Sequence, residues 1–176
     1  MKKILGLVIS LTVISAVCSG VLAYVNELTR DPIAQMLVKK TVEAAKAVLP
    51  PETVNVETAA FADGEEYFVG RSEAGEVVGY AVKGSDPGGY GGDVVLMVGF
   101  RDDRATVVCY RTLAAAETPG LGMKLNTPEF SGQFAGKNGS ALRVKKDGGD
   151  IEAITSATIT SRAVCGAIAA AAKKLQ

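Results

Sequence analysis

The residues best suited to chemistry in this chain are hydroxyl side chains crowded near the C-terminus. They are Thr155, Ser156, Thr158, Thr160 and Ser161. An Ala-rich run over 163–174 follows and predicts a helix, with Lys173 and Lys174 at the end where cations are favourable. Hydroxyls before a helix either cap its free N–H groups or hold a phosphate that these groups and the helix dipole stabilise. The segment alone favours capping and leaves phosphate binding open.

Other catalytic groups are scarce. The chain has no histidine, which excludes Ser–His and Cys–His nucleophile pairs, His-ligated zinc and a His-held haem. The cysteines Cys18, Cys109 and Cys165 are far apart, so we expect no iron–sulfur or zinc-ribbon site. Cys109 and Cys165 are predicted to be buried, inert thiols. The net charge is zero, and nothing basic indicates nucleic-acid binding.

A second candidate segment is Glu117-Thr118-Pro119-Gly120-Leu121-Gly122. It joins a rigid proline to two glycines, which predicts a tight loop whose backbone can lie close against a flat ligand. A plain turn without a ligand is the alternative, because most Pro-Gly pairs form one.

The elements that must position these segments begin with an apolar run. Lys2 and Lys3 precede residues 4–25, which carry no charge and are long enough to cross a bilayer as a helix. The lysines favour a cytoplasmic N-terminus, with the remainder outside. We expect an uncleaved anchor, because the run exceeds the apolar core of about 7–15 residues in a signal peptide. Cleavage after Val21-Leu22-Ala23 is the alternative.

Residues 26–51 are predicted to link the anchor to a domain. Asp31-Pro32 is typical of a helix start, and Pro50-Pro51 ends the pattern after Leu49. Residues 52–176 form the predicted domain. Hairpins are expected from 66–71 with 76–83 and from 93–100 with 105–112. The glycine-rich stretch 84–92 is predicted to be an irregular loop.

Nearly continuous apolar runs at 77–82 and 94–98 predict strands that are covered on both faces. The predicted fold class is α+β: an N-terminal transmembrane helix followed by one mostly antiparallel sheet domain with packed helices.

Both candidate segments resemble one family. Ser156-Ala157-Thr158-Ile159-Thr160-Ser161, with Asp150 and Thr155 before it, resembles the flavinylation motif Ser/Thr-Gly-Ala-Thr-x-Thr/Ser of the FMN-binding domain family. That family includes the G subunit of the Rnf electron-transport complex and the C subunit of the sodium-pumping NADH:quinone oxidoreductase. The 117–122 segment resembles a loop of the Rnf G subunit. Softer similarities lie at Tyr90-Gly91-Gly92, at Met97-Val98-Gly99, and at Phe130, Gln133, Phe134 and Lys137.

The resemblance implies FMN bound covalently to Thr158 through a phosphoester. It implies further contacts from Ser156, Ala157, Thr160, Ser161, Glu117, Thr118, Gly120, Leu121 and Gly122. Met123 is a further candidate contact, and Lys124 a candidate cation for the reduced flavin. Ser156 stands where the motif has glycine and tolerates a positive φ poorly, so Thr160 is the alternative acceptor. No metal site is expected.

The resemblance also implies partners. The chain would relay electrons within a membrane-bound, ion-translocating ferredoxin–NAD oxidoreductase complex, beside other membrane subunits and without substrate chemistry of its own. A separate flavin transferase, which uses FAD and Mg²⁺, would load the FMN and recognise Asp150. The location implied is the cell (inner) membrane, with the domain on the periplasmic or extracytoplasmic side. Two alternatives remain: covalent FMN that feeds another extracytoplasmic reductase, and a flavin-free, membrane-anchored binding or scaffold domain.

Overall fold

A computed structural model describes residues 2–176, with side chains from residue 4 onward. The chain divides into two compact units, Met1–Lys40 and Thr41–Gln176. The first unit consists of most of helix α1, Lys2–Val48. Its side chains are almost all exposed, and α1 is long and apolar enough to cross a membrane. The apolar composition of residues 4–25 accounts for that property.

The predicted helix start at Asp31-Pro32 is wrong, because α1 continues through Pro32 without a break. Proline removes one intrahelical hydrogen bond. Residues on both sides of Pro32 are mostly good helix formers, including Leu, Met, Ala and Lys. They keep the segment helical although one hydrogen bond is lost. The last turns of α1 lie in the second unit, where Ala45 and Val48 are fully buried.

The second unit is built on a five-stranded antiparallel sheet in sequence order. The strands are β1 Asn55–Ala60, β2 Glu66–Arg71, β3 Val77–Gly89, β4 Gly92–Arg101 and β5 Val107–Ala114. Both predicted hairpins are confirmed: β2 pairs with β3 around residues 72–75, and β4 pairs with β5 around residues 102–106. The predicted α+β class is confirmed with them.

The predicted irregular loop at 84–92 is wrong. β3 runs on to Gly89, β4 begins at Gly92, and the pairs Asp86–Val94 and Gly89–Gly92 continue the ladder. The glycines here serve close packing. A Cβ on Gly84 would lie 2.0 Å from the carbonyl oxygen of Ala167, so the missing side chain is what lets the last helix approach the sheet.

Both faces of the sheet are covered, as the apolar runs predicted. Helix α3, Thr158–Lys174, packs through Val164 and Ile168 on the face that presents Leu96 and Val98. The end of α1 covers the opposite face, where Ala45, Val48 and Leu49 pack with Phe68, Ala81 and Met97. α3 begins five residues before its predicted start, so Thr158, Thr160 and Ser161 lie in its first turn, while Thr155 and Ser156 directly precede the helix.

The segment between β5 and α3 is made of short helical turns. They are 3₁₀ turns at Gly122–Asn126, Gly132–Phe134, Gly139–Ala141 and Lys145–Asp147, and the short helix α2 at Pro128–Ser131. Phe130 and Phe134 are buried and form edge-to-face contacts, Phe134 with Tyr110 as well. The similarity of Phe130 and Phe134 to the family segment is therefore explained by their packing in the hydrophobic core.

Candidate functional site

A cavity of about 560 Å³ lies where three segments of the second unit meet. These segments are the β3–β4 turn, the loop after β5 and the first turn of α3. The lining residues are Tyr90, Glu117, Thr118, Leu121, Gly122, Ser156, Ala157, Thr158, Ile159 and Thr160. The two segments that the sequence singled out therefore face each other across one cavity, although about forty positions separate them.

Glu117 joins the three segments. The residue is only 7% exposed, and its carboxyl group accepts hydrogen bonds from the Tyr90 backbone N–H at 2.9 Å and the Thr160 hydroxyl at 2.8 Å. A Cβ on Gly122 would lie 2.4 Å from Glu117 Oε2 and 2.9 Å from Thr160 Oγ1. Glycine at 122 is thus what allows the loop to close over this carboxyl group.

The loop after β5 owes its shape to its proline and glycine. Leu121 N–H donates to Thr118 O at 3.2 Å, and Gly120 has a φ of 75°. Proline and then a glycine of positive φ at the two central positions are typical of a type II turn. The turn places Leu121, 42% exposed, at the cavity, while Gly120, Met123 and Lys124 are not among the lining residues.

The first turn of α3 has no side-chain cap. Ala157 occupies the N-cap position and makes no capping bond, so the ordinary capping role of the hydroxyls is not realised there. Ser161 instead holds the preceding turn: its hydroxyl donates to Ala157 O and accepts from Ile154 N–H, both at 2.9 Å. Ser156 has a φ of 64°, the left-handed geometry that favours glycine.

The hydroxyls of this segment differ in their access to the cavity. Thr160 and Ser161 are 1% and 0% exposed and already hydrogen-bonded. Thr158 is half-buried and lines the cavity, and its Oγ1 accepts a hydrogen bond from Lys146 Nζ at 3.3 Å. Ser156 is exposed and also lines the cavity, whereas Ser161 is buried and is not among the lining residues.

The 3₁₀ turn Lys145–Asp147 lies against this end of α3. Arg162 donates two hydrogen bonds to the Asp147 carboxylate, each at 2.7 Å. These bonds lower the pKa of Asp147, which keeps its carboxylate ionised at neutral pH. Asp150, by contrast, is strongly exposed outside the cavity, with its carboxylate 3.8 Å from Lys137 Nζ.

Two lining residues were absent from the predicted contacts, Tyr90 and Ile159. Both carry a sequence signal, because Tyr90 is a large apolar residue in the glycine-rich stretch and Ile159 is one in the hydroxyl-rich segment. In the structure these side chains are 72% and 48% exposed. Unpartnered apolar side chains at a cavity mouth are typical of a ligand site.

The cysteines do not contribute to the cavity. Burial raises the pKa of Cys165, on the core face of α3, to about 12 and raises that of the half-buried Cys109 thiol. Both are therefore protonated and poor nucleophiles at neutral pH. Residues 2–176 also bring together no group of three metal-ligating side chains.

The class of protein follows from the region that contains this cavity. Residues 89–173 match the family model of the FMN-binding domain, and every lining residue falls inside that range. The fold agrees with solved structures of the C subunit of the Na⁺-translocating NADH-quinone reductase. The protein from Shewanella oneidensis gives a TM-score of 0.53 at 21% identity over 72% of this chain and 66% of that one. The protein from Parabacteroides distasonis gives 0.51 at 21% identity, over 70% and 78%.

Sequence similarity along nearly the whole chain identifies the family more specifically. The chain is 32% identical over 174 residues to the G subunit of the ion-translocating oxidoreductase complex of Methanosarcina acetivorans, covering 95% of this chain and 92% of that protein. It is 33% identical over 188 residues to the G subunit of the Na⁺-translocating ferredoxin:NAD⁺ oxidoreductase complex of Acetobacterium woodii, covering 95% and 89%. This chain belongs to the family of G subunits of ion-translocating oxidoreductase complexes.

Proposed function

We propose that the chain is an electron-relay subunit of a membrane-bound, ion-translocating ferredoxin–NAD oxidoreductase complex and carries FMN on Thr158 through a phosphoester. The observation that carries the proposal is the position of Thr158. Its hydroxyl lies at the cavity, at the uncapped start of α3, and bonds only to a lysine among the described residues. A phosphate attached there would meet free backbone N–H groups, a favourable helix dipole and a cation.

The cavity suits FMN in size and lining. Its volume of about 560 Å³ lies within the usual range for small-molecule sites. Leu121, Tyr90 and Ile159 would offer apolar surface to a flat ring, while the backbone at the start of α3 would hold the phosphate. The helix dipole would stabilise that charge by about 0.3–1 kcal/mol. FMN, when bound, would supply the reversible electron transfer.

Thr158 is a better acceptor than Thr160 on two grounds. The Thr160 hydroxyl donates to the Glu117 carboxyl group and is 1% exposed, so esterification would break a buried hydrogen bond. The Thr158 hydroxyl gives up only its contact with exposed Lys146. The positive φ of Ser156 also supports the motif geometry, because serine here adopts the left-handed conformation that favours the glycine of the motif.

The membrane arrangement extends the same proposal. Residues 4–25 would cross the cell (inner) membrane once, 26–51 would link, and 52–176 would form the FMN domain on the periplasmic or extracytoplasmic side. The apolar character of α1 supports the crossing, and Lys2 and Lys3 in the sequence support the orientation. The partners would be the other membrane subunits of the complex and, for loading, a flavin transferase that recognises Asp150.

Mass spectrometry tests the attachment. A transferase that uses FAD would join the FMN phosphorus to the threonine oxygen and release AMP. The full chain, produced with and without it, should gain the mass of one FMN less one water only when the transferase is present, and fragmentation should place that mass on Thr158. Thr158→Ala should lose the added mass and stay folded, because a hydroxyl near a helix start contributes only about 1 kcal/mol. Thr58→Ala, at an exposed position of β1 outside the motif and the cavity, is the control and should load normally.

A modification on Thr160, or retained flavin in Thr158→Ala, would contradict the acceptor assignment and leave the electron-relay role intact. A chain without added mass after production with a matched transferase would contradict the relay role as well, and would favour the flavin-free scaffold. Co-purification of the loaded chain with integral membrane subunits would distinguish this complex from the alternative, in which the FMN feeds another extracytoplasmic reductase.

A further inference from the structure

Lys146 makes an unusual contact for an exposed lysine. Its Nζ lies 3.3 Å from Thr158 Oγ1, and this is the one side-chain hydrogen bond to that hydroxyl among the described residues. The neighbouring cations are engaged elsewhere: Lys145 pairs with Glu152, and Arg162 pairs with Asp147. Within residues 4–176, Lys146 has no carboxylate at ion-pair distance. Its charge is therefore available beside the Thr158 hydroxyl, which does line the cavity.

The backbone that carries Lys146 is held against α3. Asp147, the next residue, accepts both hydrogen bonds from Arg162, which lies one helical turn after Thr158. The turn is also tied to the following segment, because Lys145 N–H donates to Ile151 O at 2.8 Å. Gly148, with a φ of 79°, ends the turn. These contacts fix the backbone of residue 146 close to Thr158, so less ordering would remain when the lysine pairs with an anion there.

We propose that Lys146 is the phosphate-binding cation of this site, and that its ammonium group pairs with the phosphodiester on Thr158. The inference rests on the proposed function, because it takes Thr158 as the attachment residue. A phosphodiester keeps one negative charge, and the existing contact already directs an ammonium at the oxygen that would be esterified. Lys124, which the sequence suggested as a cation for the reduced flavin ring, lines the cavity no more than Lys146 does, and among the described residues only Lys146 has a side-chain hydrogen bond to the Thr158 hydroxyl.

A comparison of loaded and unloaded protein isolates this pairing. The full chain in detergent is prepared with and without the transferase, and the folded fraction of residues 41–176 is measured by pulse proteolysis in urea. Lys146→Ala should barely change the unloaded protein. In the loaded protein it should lower the folding equilibrium constant about fivefold more, as expected at the upper end for exposed ion pairs. Lys146→Arg should restore the loaded value, and Lys145→Ala should behave alike in both forms.

Ionic strength provides a readout that a purely structural lysine would not move. The extra effect of Lys146→Ala in the loaded protein should shrink as salt rises from about 0.05 to 0.5 M, because screening weakens exposed charge pairs. Equal effects of Lys146→Ala in the loaded and unloaded forms would overturn the proposal. Loading that fails in both Lys146→Ala and Lys146→Arg would also overturn it, since arginine keeps the charge. Loading that fails only in Lys146→Ala would support it.

The outcome is distinguishable from failure of the proposed function. If the wild-type chain gains no FMN mass on Thr158 while the transferase is active on another substrate, the attachment itself is refuted before Lys146 is considered. If wild type loads on Thr158 and Lys146→Ala shows no additional loss, only the role of Lys146 is refuted.

Discussion

Replacing Glu117 tests whether one carboxyl group holds the cavity together. Glu117→Ala leaves two donors without their acceptor, the Tyr90 N–H and the Thr160 hydroxyl. An unsatisfied buried donor costs about 1–3 kcal/mol. Thr160 is 1% exposed and bears the full cost, whereas the Tyr90 N–H lies in a partly buried turn that water reaches. We therefore expect the free energy of unfolding to fall by about 2–4 kcal/mol.

Two companion variants sharpen the estimate. Glu117→Gln keeps an oxygen for one donor and presents an amide to the other, so we expect a loss of about 1 kcal/mol. Thr160→Val removes the other partner of the buried bond. Because the two residues share one hydrogen bond, the effects of Glu117→Ala and Thr160→Val should not add, and the double variant should be more stable than their sum predicts.

The assay is pulse proteolysis in urea on the unloaded full chain in detergent, which reports the folded fraction of residues 41–176 and does not depend on flavin. Glu73→Ala, at an exposed position in the turn between β2 and β3, would be a matched control with a change within about 0.5 kcal/mol. A loss below about 1 kcal/mol in Glu117→Ala, or strictly additive losses in the double variant, would refute the idea that this carboxyl group joins the three segments.

Three further predictions concern the surrounding backbone and core. Ser156→Gly should raise the free energy of unfolding by up to about 1 kcal/mol in urea, because glycine accepts the φ of 64° without strain, whereas Ser156→Val should lower it. Gly84→Ala should lower the free energy of unfolding by about 1–3 kcal/mol, because the new Cβ would lie 2.0 Å from Ala167 O. An unchanged urea midpoint would contradict this close approach. Burial raises the pKa of Cys165 from 9.0 to about 12, so the folded state keeps a proton that the unfolded state loses. The stability from this group is complete below pH 9 and should be lost between pH 9 and about 12, so Cys165→Ala should make the fall in stability over that range shallower.

Local patterns were sufficient to predict two hairpins of the sheet. The hairpins follow from short apolar runs separated by turn residues, and the burial of both faces follows from runs without polar alternation. The glycine-rich stretch misled the prediction because composition describes what glycine permits, and here close packing of α3 decides what it does. The helix start at Asp31-Pro32 failed for a related reason: a proline that suits a first turn is also tolerated inside a long helix.

The candidate site, like the sheet, was predictable only in part. Both segments that line the cavity were recognisable from their motifs, because each needs particular backbone geometry close to a ligand. The contacts between them were not predictable, since Glu117 and Thr160 are distant in sequence and their pairing depends on how α3 lies on the sheet. The position of Lys146 was not predictable for the same reason: nothing local distinguishes it from Lys145, and only the turn held by Arg162 brings it to Thr158.

The exposed rim of the cavity gives a physical reason for a covalent link, if Thr158 carries FMN as proposed. Tyr90, Leu121 and Ile159 remain 72%, 42% and 48% exposed, so a ring bound among them would stay partly open to solvent and to a redox partner. An open site buries less apolar area, and the affinity obtainable from that burial falls in proportion. An ester bond prevents the flavin from dissociating, whatever its non-covalent affinity for the cavity. The cavity can then remain shallow enough for electron exchange, while the start of α3 and Lys146 need only orient the phosphate.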